Sequence, residues 1–397
     1  MVTAGPTCSP LEGSTSDELA ISVVMPCLNE AGSVGTCVTK ALMGIHLAGL
    51  AGEVVVVDNG STDNSAQIAR TAGARVVDEP VRGYGNAYRR GFREARGRIV
   101  VMGDSDDTYD FTEIPALIAP IQNGADYVLG SRFRGEIQRG AMTWSHRYIG
   151  NPVLTGLLNM LFGLNSSDAH SGLRAFRREA LDQMSLRCDG MEFASEIVVK
   201  AARSGLQVAE VPIVYHPRTG ESKLNALSDA WRHVRFLVLL SALRVFIWPG
   251  LALLAGGLCG QLLLLGLAHS PTGVRLSDAA VCMMLLGMQL LVFGVITKTF
   301  AYRSGFEEES PITRFVDHTF TLERGLVVSA LMALGGAAIV VAPVLGAVKA
   351  KSFGEELESL GAGLMFLGAQ LAFCSFVLAL LRAPLDRART PSAIVLS

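Results

Sequence analysis

A chain of 397 residues exceeds one ordinary domain, and 50% hydrophobic content with a mean hydropathy of +0.38 is too apolar for a wholly water-soluble enzyme. The 34 Lys and Arg nearly balance the 36 Asp and Glu, so the net charge of −2 argues against a nucleic-acid partner. The seven cysteines show neither a CxxC pair nor metal-ligand spacing, which points to reduced thiols facing the cytosol and away from a disulfide framework or a zinc site.

Residues 1–19 are polar, rich in Ser, Thr, Gly and Pro, and lack the apolar core of a signal peptide, so a disordered tail is expected. Over 20–224, short apolar runs alternate with helical patterns. Strands are predicted at 21–26, 53–58, 74–78, 98–102 and 126–130, with helices at 30–48, 62–72, 84–95 and 112–123. This order predicts an α/β domain built on a mostly parallel sheet with helices on both faces. No G-x-G-x-x-G opens a helix after the first strand, which argues against dinucleotide binding.

Residues 225–244 mix basic and apolar side chains and are expected to lie along a membrane surface. Four apolar runs follow, near 245–268, 279–300, 325–348 and 360–381, each long enough as a helix to cross the ~30 Å hydrocarbon core. They predict an all-α membrane domain of four transmembrane helices over 245–382, followed by a tail at 383–397. Arg232, Arg235 and Arg244 precede the first span, Lys298, Arg303, Arg314 and Arg324 surround the loop after the second, and Arg382, Arg387 and Arg389 follow the fourth. The other two loops hold only Arg275, Lys349 and Lys351, so both termini and the α/β domain are expected on the cytoplasmic side of a multi-pass inner-membrane protein. Small residues such as Gly257 in the first span permit close packing, which leaves a homo-oligomer open.

The richest chemistry lies at the strand ends. The run 98–102 ends in Gly103-Asp104-Ser105-Asp106-Asp107, delivering carboxylates to the edge where open α/β sheets bind ligands. An Asp-x-Asp pair suits a divalent cation that keeps phosphate oxygens among its ligands. Asp58 ends the second strand and can accept from a nucleobase N–H or a ribose hydroxyl; Ser61 or Thr62 beyond it would also serve as a helix N-cap. Arg82, before Gly83-Tyr84-Gly85-Asn86-Ala87, is placed to contact phosphate or simply to lead into a helix. His170 and His216 either line the site or serve the fold. Glu192 and Glu196, on one helical face, either bind sugar hydroxyls or brace a loop.

In order, VVMPCLNE, VVVVDNGSTDNS, RGYGNA, VMGDSDD, GSRF, DAHSGLRAFRR and GESKL resemble the family 2 glycosyltransferases with a GT-A nucleotide-sugar fold, over residues 21–224. Within that family the pattern is most similar to the polyprenyl-phosphate sugar transferases of the dolichyl-phosphate mannosyltransferase type. The resemblance implies inverting transfer of a hexose from GDP-mannose or UDP-glucose to a lipid phosphate, with Mg²⁺ or Mn²⁺. It places Pro26, Asn29, Glu30 and Asp58 at the nucleoside, and Asp104 and Asp106 at ribose, diphosphate and metal, with Asp107 as an additional acid beside them. It places Arg132 and Arg147 at the lipid phosphate, with Asn151 where a small hydroxyl residue is expected. Ser222 and Lys223 would close on the donor phosphates, assisted by Arg218.

The residue types suit that chemistry. A cation and Lys223 would stabilise the charge that develops on a diphosphate leaving group. The acceptor phosphate is already an anion and needs arginine forks more than a strong base. Two alternatives differ in kind. A processive polysaccharide synthase would carry Gln-x-x-Arg-Trp before its channel helices, and Trp231-Arg232 has the wrong order. A catalytically silent membrane scaffold would have no need of the intact Asp104, Asp106 and Lys223.

Overall fold

The computed structural model describes residues 19–220, 226–264, 271–345 and 351–382. Two compact units divide the chain at Leu237 and Val238.

The first unit is built on a seven-stranded sheet. Its strands are β1 (Ile21–Cys27), β2 (Gly52–Asp58), β3 (Arg75–Asp78), β4 (Ile99–Met102), β5 (Tyr127–Ile137), β6 (Arg174–Arg177) and β7 (Val208–Tyr215), in the order β3-β2-β1-β4-β6-β5-β7. β1 pairs in parallel with β2 and β4, as does β2 with β3. The five predicted strands are all present, although β5 runs on to Ile137. The sequence reading missed β6 and β7. β6 is four residues, Arg-Ala-Phe-Arg, antiparallel to both neighbours, and only its pairing between β4 and β5 makes it a strand. Its first residue, Arg174, is fully buried and donates to the carbonyls of Ser171, Ala169 and Ala194, so a charged residue sits where an apolar one would be expected. β7 carries Pro212 and lies at the sheet edge, where a missing N–H is tolerated.

Alternation along the strands sends side chains to two faces. Ile21, Val23 and Met25 of β1 pack with Val34, Val38 and Ile45 of α1 (Val34–Leu47) and with Ile114, Leu117 and Ile121 of α4 (Ile114–Gln122). Each such side chain contributes about 1.5–3 kcal/mol by leaving water. On the other face, α3 (Tyr84–Glu94) lies against β1 and β2 through Gly91, where a Cβ would stand 2.3 Å from a Val24 methyl. α2 (Ser65–Thr71), α5 (Asn151–Phe162), α6 (Arg178–Met184), α7 (Phe193–Arg203) and α8 (Ala226–Leu240) complete the unit's helices among the described residues.

The second unit carries four helices long and apolar enough to cross a membrane: Leu243–Leu264, Arg275–Arg303, Leu322–Val344 and Leu357–Arg382. They belong to α9 (Trp248–Leu264), α10 (Pro271–Arg303), α12 (Leu322–Val344) and α13 (Lys351–Arg382), with the short α11 (Pro311–His318) between the second and third. α9 packs on α10, α12 on α13, and α10 on α13. Glycines bring these backbones together: a Cβ on Gly336 would stand 2.5 Å from the Gly361 carbonyl, and one on Gly257 would stand 2.6 Å from that of Ala280. Gly257 therefore faces α10 of its own chain. The basic residues at one end are paired, Lys298 with Glu307, and both Arg303 and Arg382 with Asp317.

Candidate active site

β4 ends at Met102 and hands the chain to Asp104-Ser105-Asp106-Asp107. Ser105 anchors this loop to the end of β1: its hydroxyl donates to the Pro26 carbonyl at 2.7 Å, and its carbonyl accepts from Ser33 Oγ at 2.7 Å. Asp104 Oδ1 accepts from two phenols, Tyr84 at 3.0 Å and Tyr88 at 3.1 Å. Burial, then the negative charge of Asp106, raises the Asp104 pKa to about 6. A cation beside such a carboxyl favours its ionised form. Burial and Asp104 hold both phenols well above their ordinary range, so they remain donors.

Asp106 is buried. Its Oδ1 accepts from the Thr108 hydroxyl at 2.6 Å and the Thr108 N–H at 3.2 Å, while Oδ2 lies 3.1 Å from Arg218 Nη1. Arg218 also donates from Nη2 to Glu30 Oε1, bridging the loops that follow β1 and β4. The Thr219 N–H donates to the Asp106 carbonyl at 3.1 Å, which holds the segment after β7 on the acidic loop. Asp107 takes a different direction from its neighbours. At φ 63° it turns onto α1 and pairs through Oδ1 with Lys40 at 2.7 Å, a partner that the sequence reading of Asp107 as an additional acid did not include.

The expected nucleoside residues line the ends of β1 and β2. Asn29, at φ 53°, accepts from the Thr62 N–H at 2.7 Å, and its own N–H donates to Ser61 Oγ at 3.0 Å. The Glu30 N–H donates to Ser65 Oγ at 2.8 Å, and half-buried Asp58 accepts from the Ser61 N–H at 3.0 Å. Ser61 and Thr62 are not helix caps: α2 begins only at Ser65, and both residues join the two strand ends instead. Arg82 is exposed, with Nη2 3.4 Å from the Gly60 carbonyl. At Gly83, φ 149° and an Asp189 carbonyl 2.4 Å from any Cβ exclude a side chain.

Arg132 and Arg147 differ sharply. Arg132 is buried, and its Nε and Nη2 each donate to Asp168 at 2.7 Å, with the Arg132 N–H adding a third bond at 3.0 Å. Burial opposes its charge, but Asp168 holds its pKa above the ordinary arginine value. The fork expected to meet a lipid phosphate is thus already filled by a carboxylate 36 residues away. Arg147 lies in a π-turn (His146–Gly150) before α5, over the Tyr148 ring at 5.6 Å, with no carboxylate partner among the described residues. Asn151 donates only to Met142 Sδ at 3.5 Å among its described contacts. Ser222 and Lys223 lie outside the described residues.

Glu196 is fully buried, accepts from the N–H groups of Arg187 and Cys188, and pairs with Lys200, so it braces that loop. Glu192 keeps a buried carboxylate oxygen without a protein partner. His170 meets Ser195, which in turn meets His233 on α8 at 2.8 Å. The His216 N–H donates to the Thr108 carbonyl at 2.9 Å. Sequence reasoning gave no role to Tyr84, Tyr88, Ser105 or Asp168. Tyr84, Ser105 and Asp168 lie within quoted motifs and Tyr88 one residue beyond one, but their partners lie 16 to 79 residues away.

Among the described residues no group of three or more His, Cys, Asp or Glu is arranged to hold a metal. Two carboxylates are too few for a closed protein cage and fit a cation that completes its shell with phosphate oxygens.

A glycosyl transferase family 2 model matches residues 22–185, and a glycosyltransferase family 2 C-terminal transmembrane region matches 295–382. The low-salt glycan biosynthesis hexosyltransferase Agl6 of Haloferax volcanii is 38% identical over 80% of this chain and 78% of its own. The dolichyl-phosphate hexose transferase of the same organism is 35% identical over 53% of this chain and 88% of its own. A solved structure of glucosyl-3-phosphoglycerate synthase from Mycobacterium tuberculosis, with Mn²⁺ and UDP-glucose, is similar at a TM-score of 0.45 and 27% identity, over 56% of this chain and 79% of that one. The sheet with its carboxyl-edge acids defines a GT-A transferase domain, and the chain belongs to glycosyltransferase family 2.

Proposed function

We propose that the chain is an inverting hexosyltransferase that moves a sugar from GDP-mannose or UDP-glucose to a polyprenyl phosphate at the cytoplasmic face of the inner membrane. The observation that carries this reading is the Asp104–Asp106 pair at the carboxyl edge of β4, beside Glu30 and Asp58 from the ends of β1 and β2. Asp104 and Asp106 would hold Mg²⁺ or Mn²⁺ together with the donor diphosphate, and the bound cation would supply electrostatic stabilisation of the leaving group. Asn29, Glu30 and Asp58 would hold the nucleoside, and Arg82, Ser222 and Lys223 the donor phosphates.

Arg147 would meet the acceptor phosphate. It sits on a segment whose Trp144, Tyr148, Ile149, Val153 and Met160 are exposed, a setting that suits an anion carried on a hydrocarbon chain. Arg132 would support this region through Asp168. The name of the dolichyl-phosphate hexose transferase relative supports the acceptor class.

The test is incubation of membranes holding the protein with labelled GDP-mannose or UDP-glucose and added polyprenyl phosphate. One donor should place label in a solvent-extractable lipid, and a chelator should abolish transfer. Label in a polymer, or lipid labelling that persists in chelator, would overturn the reading.

A further inference from the structure

Asp104 is held from one side in an uncommon way. Two phenols one helical turn apart on α3, Tyr84 and Tyr88, both donate to its Oδ1, at 3.0 and 3.1 Å. Two donors on one oxygen fix the rotation of the carboxylate plane and saturate that oxygen. The other oxygen has been given room: a Cβ on Gly172 would stand 2.8 Å from Oδ2, so a side chain there would crowd it. The phenols are themselves immobilised. Tyr84 and Tyr88 pack edge to face at 4.9 Å, and Tyr88 stacks on Phe193 at 5.8 Å with an interplanar angle of 5°.

We infer that Tyr84 and Tyr88 are positioning residues that pin Asp104 through Oδ1 and aim Oδ2 at the cation shared with the donor diphosphate. The assignment rests on the donor-site reading above. It predicts that cation affinity depends on hydroxyls that never touch the cation, because supporting hydrogen bonds orient a ligand and tune its basicity.

Phenylalanine at each position keeps the ring stack and removes only the donor. The experiment titrates Mn²⁺ into the full-length protein in detergent, with saturating UDP and separately GDP, reading free Mn²⁺ by electron paramagnetic resonance. A parallel melt of the metal-free protein reports the fold. Either single variant should bind Mn²⁺ several-fold more weakly, and Tyr84→Phe/Tyr88→Phe about 10–100-fold more weakly. The metal-free melting temperature should move little. A double variant with wild-type Mn²⁺ affinity overturns the assignment, and a fallen melting temperature with unchanged affinity does so in favour of a purely structural role. Wild-type protein that binds no Mn²⁺ with either nucleotide overturns the donor-site reading, and the positioning role falls with it.

Discussion

Replacing Arg132 by alanine tests whether this arginine is a phosphate ligand or a strut. In the folded chain the Asp168 side chain is 0% exposed and that of Arg132 7% exposed, and two charge-assisted bonds of 2.7 Å join them. Removing the guanidinium leaves a fully buried carboxylate with the Arg132 backbone N–H as its remaining bond from that residue. Breaking one side of a buried pair costs about 3–5 kcal/mol. At about 2–4 °C per kcal/mol for a domain of this size, the melting temperature of Arg132→Ala should fall by about 6–20 °C. Asp168→Ala should fall by a similar amount, because the isolated charge is then the arginine. The double variant Arg132→Met/Asp168→Leu removes both charges and retains bulk, and should recover to within about 1–2 kcal/mol of wild type. The assay is thermal unfolding of detergent-solubilised full-length protein at one fixed scan rate, since unfolding of a membrane protein is seldom reversible. A stable Arg132→Ala protein whose only defect is a raised KM for polyprenyl phosphate would refute the strut and return Arg132 to the acceptor.

Arg147→Ala should raise the KM for polyprenyl phosphate at least ten-fold with donor KM little changed; lysine should rescue poorly because one ammonium cannot reproduce the fork. Initial rates at saturating nucleotide sugar measure this, and unchanged acceptor kinetics would remove Arg147 from the site. Asp106→Asn should cut transfer by about 10²-fold or more, a loss that extra Mn²⁺ only partly restores; near-normal turnover would exclude it from the donor site. Glu113, whose pKa burial raises to about 6, accepts from the Val214 N–H. A carboxyl raised in the fold adds stability below its unfolded value near 4.5 and loses it as pH climbs through about 6. Glu113→Gln should therefore stabilise the protein at pH 7.5, by about 1 kcal/mol after allowance for solvent screening, and leave little difference at pH 4.5. A melting temperature lowered at pH 7.5 would contradict this.

The parallel half of the sheet was legible because β1, β2 and β4 are continuous apolar runs, and the acids after β4 stand out against them. The membrane helices were legible for the same reason on a longer scale. β6 was hidden because Arg174 and Arg177 read as surface residues until a ring of carbonyls surrounds the first. At the site, residue types were visible but partners were not. Arg132 looked like an open fork because nothing in GSRF announces Asp168, and Asp107 looked like a third metal acid because nothing adjacent announces Lys40. Tyr84 and Tyr88 read as helix residues because their shared target lies in another strand's loop.

The glycines of the membrane helices carry a consequence for assembly. Gly250, Gly257 and Gly287 lie on the seam between α9 and α10, and Gly336 and Gly361 on the seam between α12 and α13. These smooth strips, which elsewhere serve for docking one chain against another, are closed within a single copy. Outward the spans present large side chains, Leu262, Leu263, Leu331, Leu334, Phe373 and Leu380, with small ones such as Ala252, Ala255 and Gly256 among them. Lipid chains, which conform to any contour, wet such a surface readily.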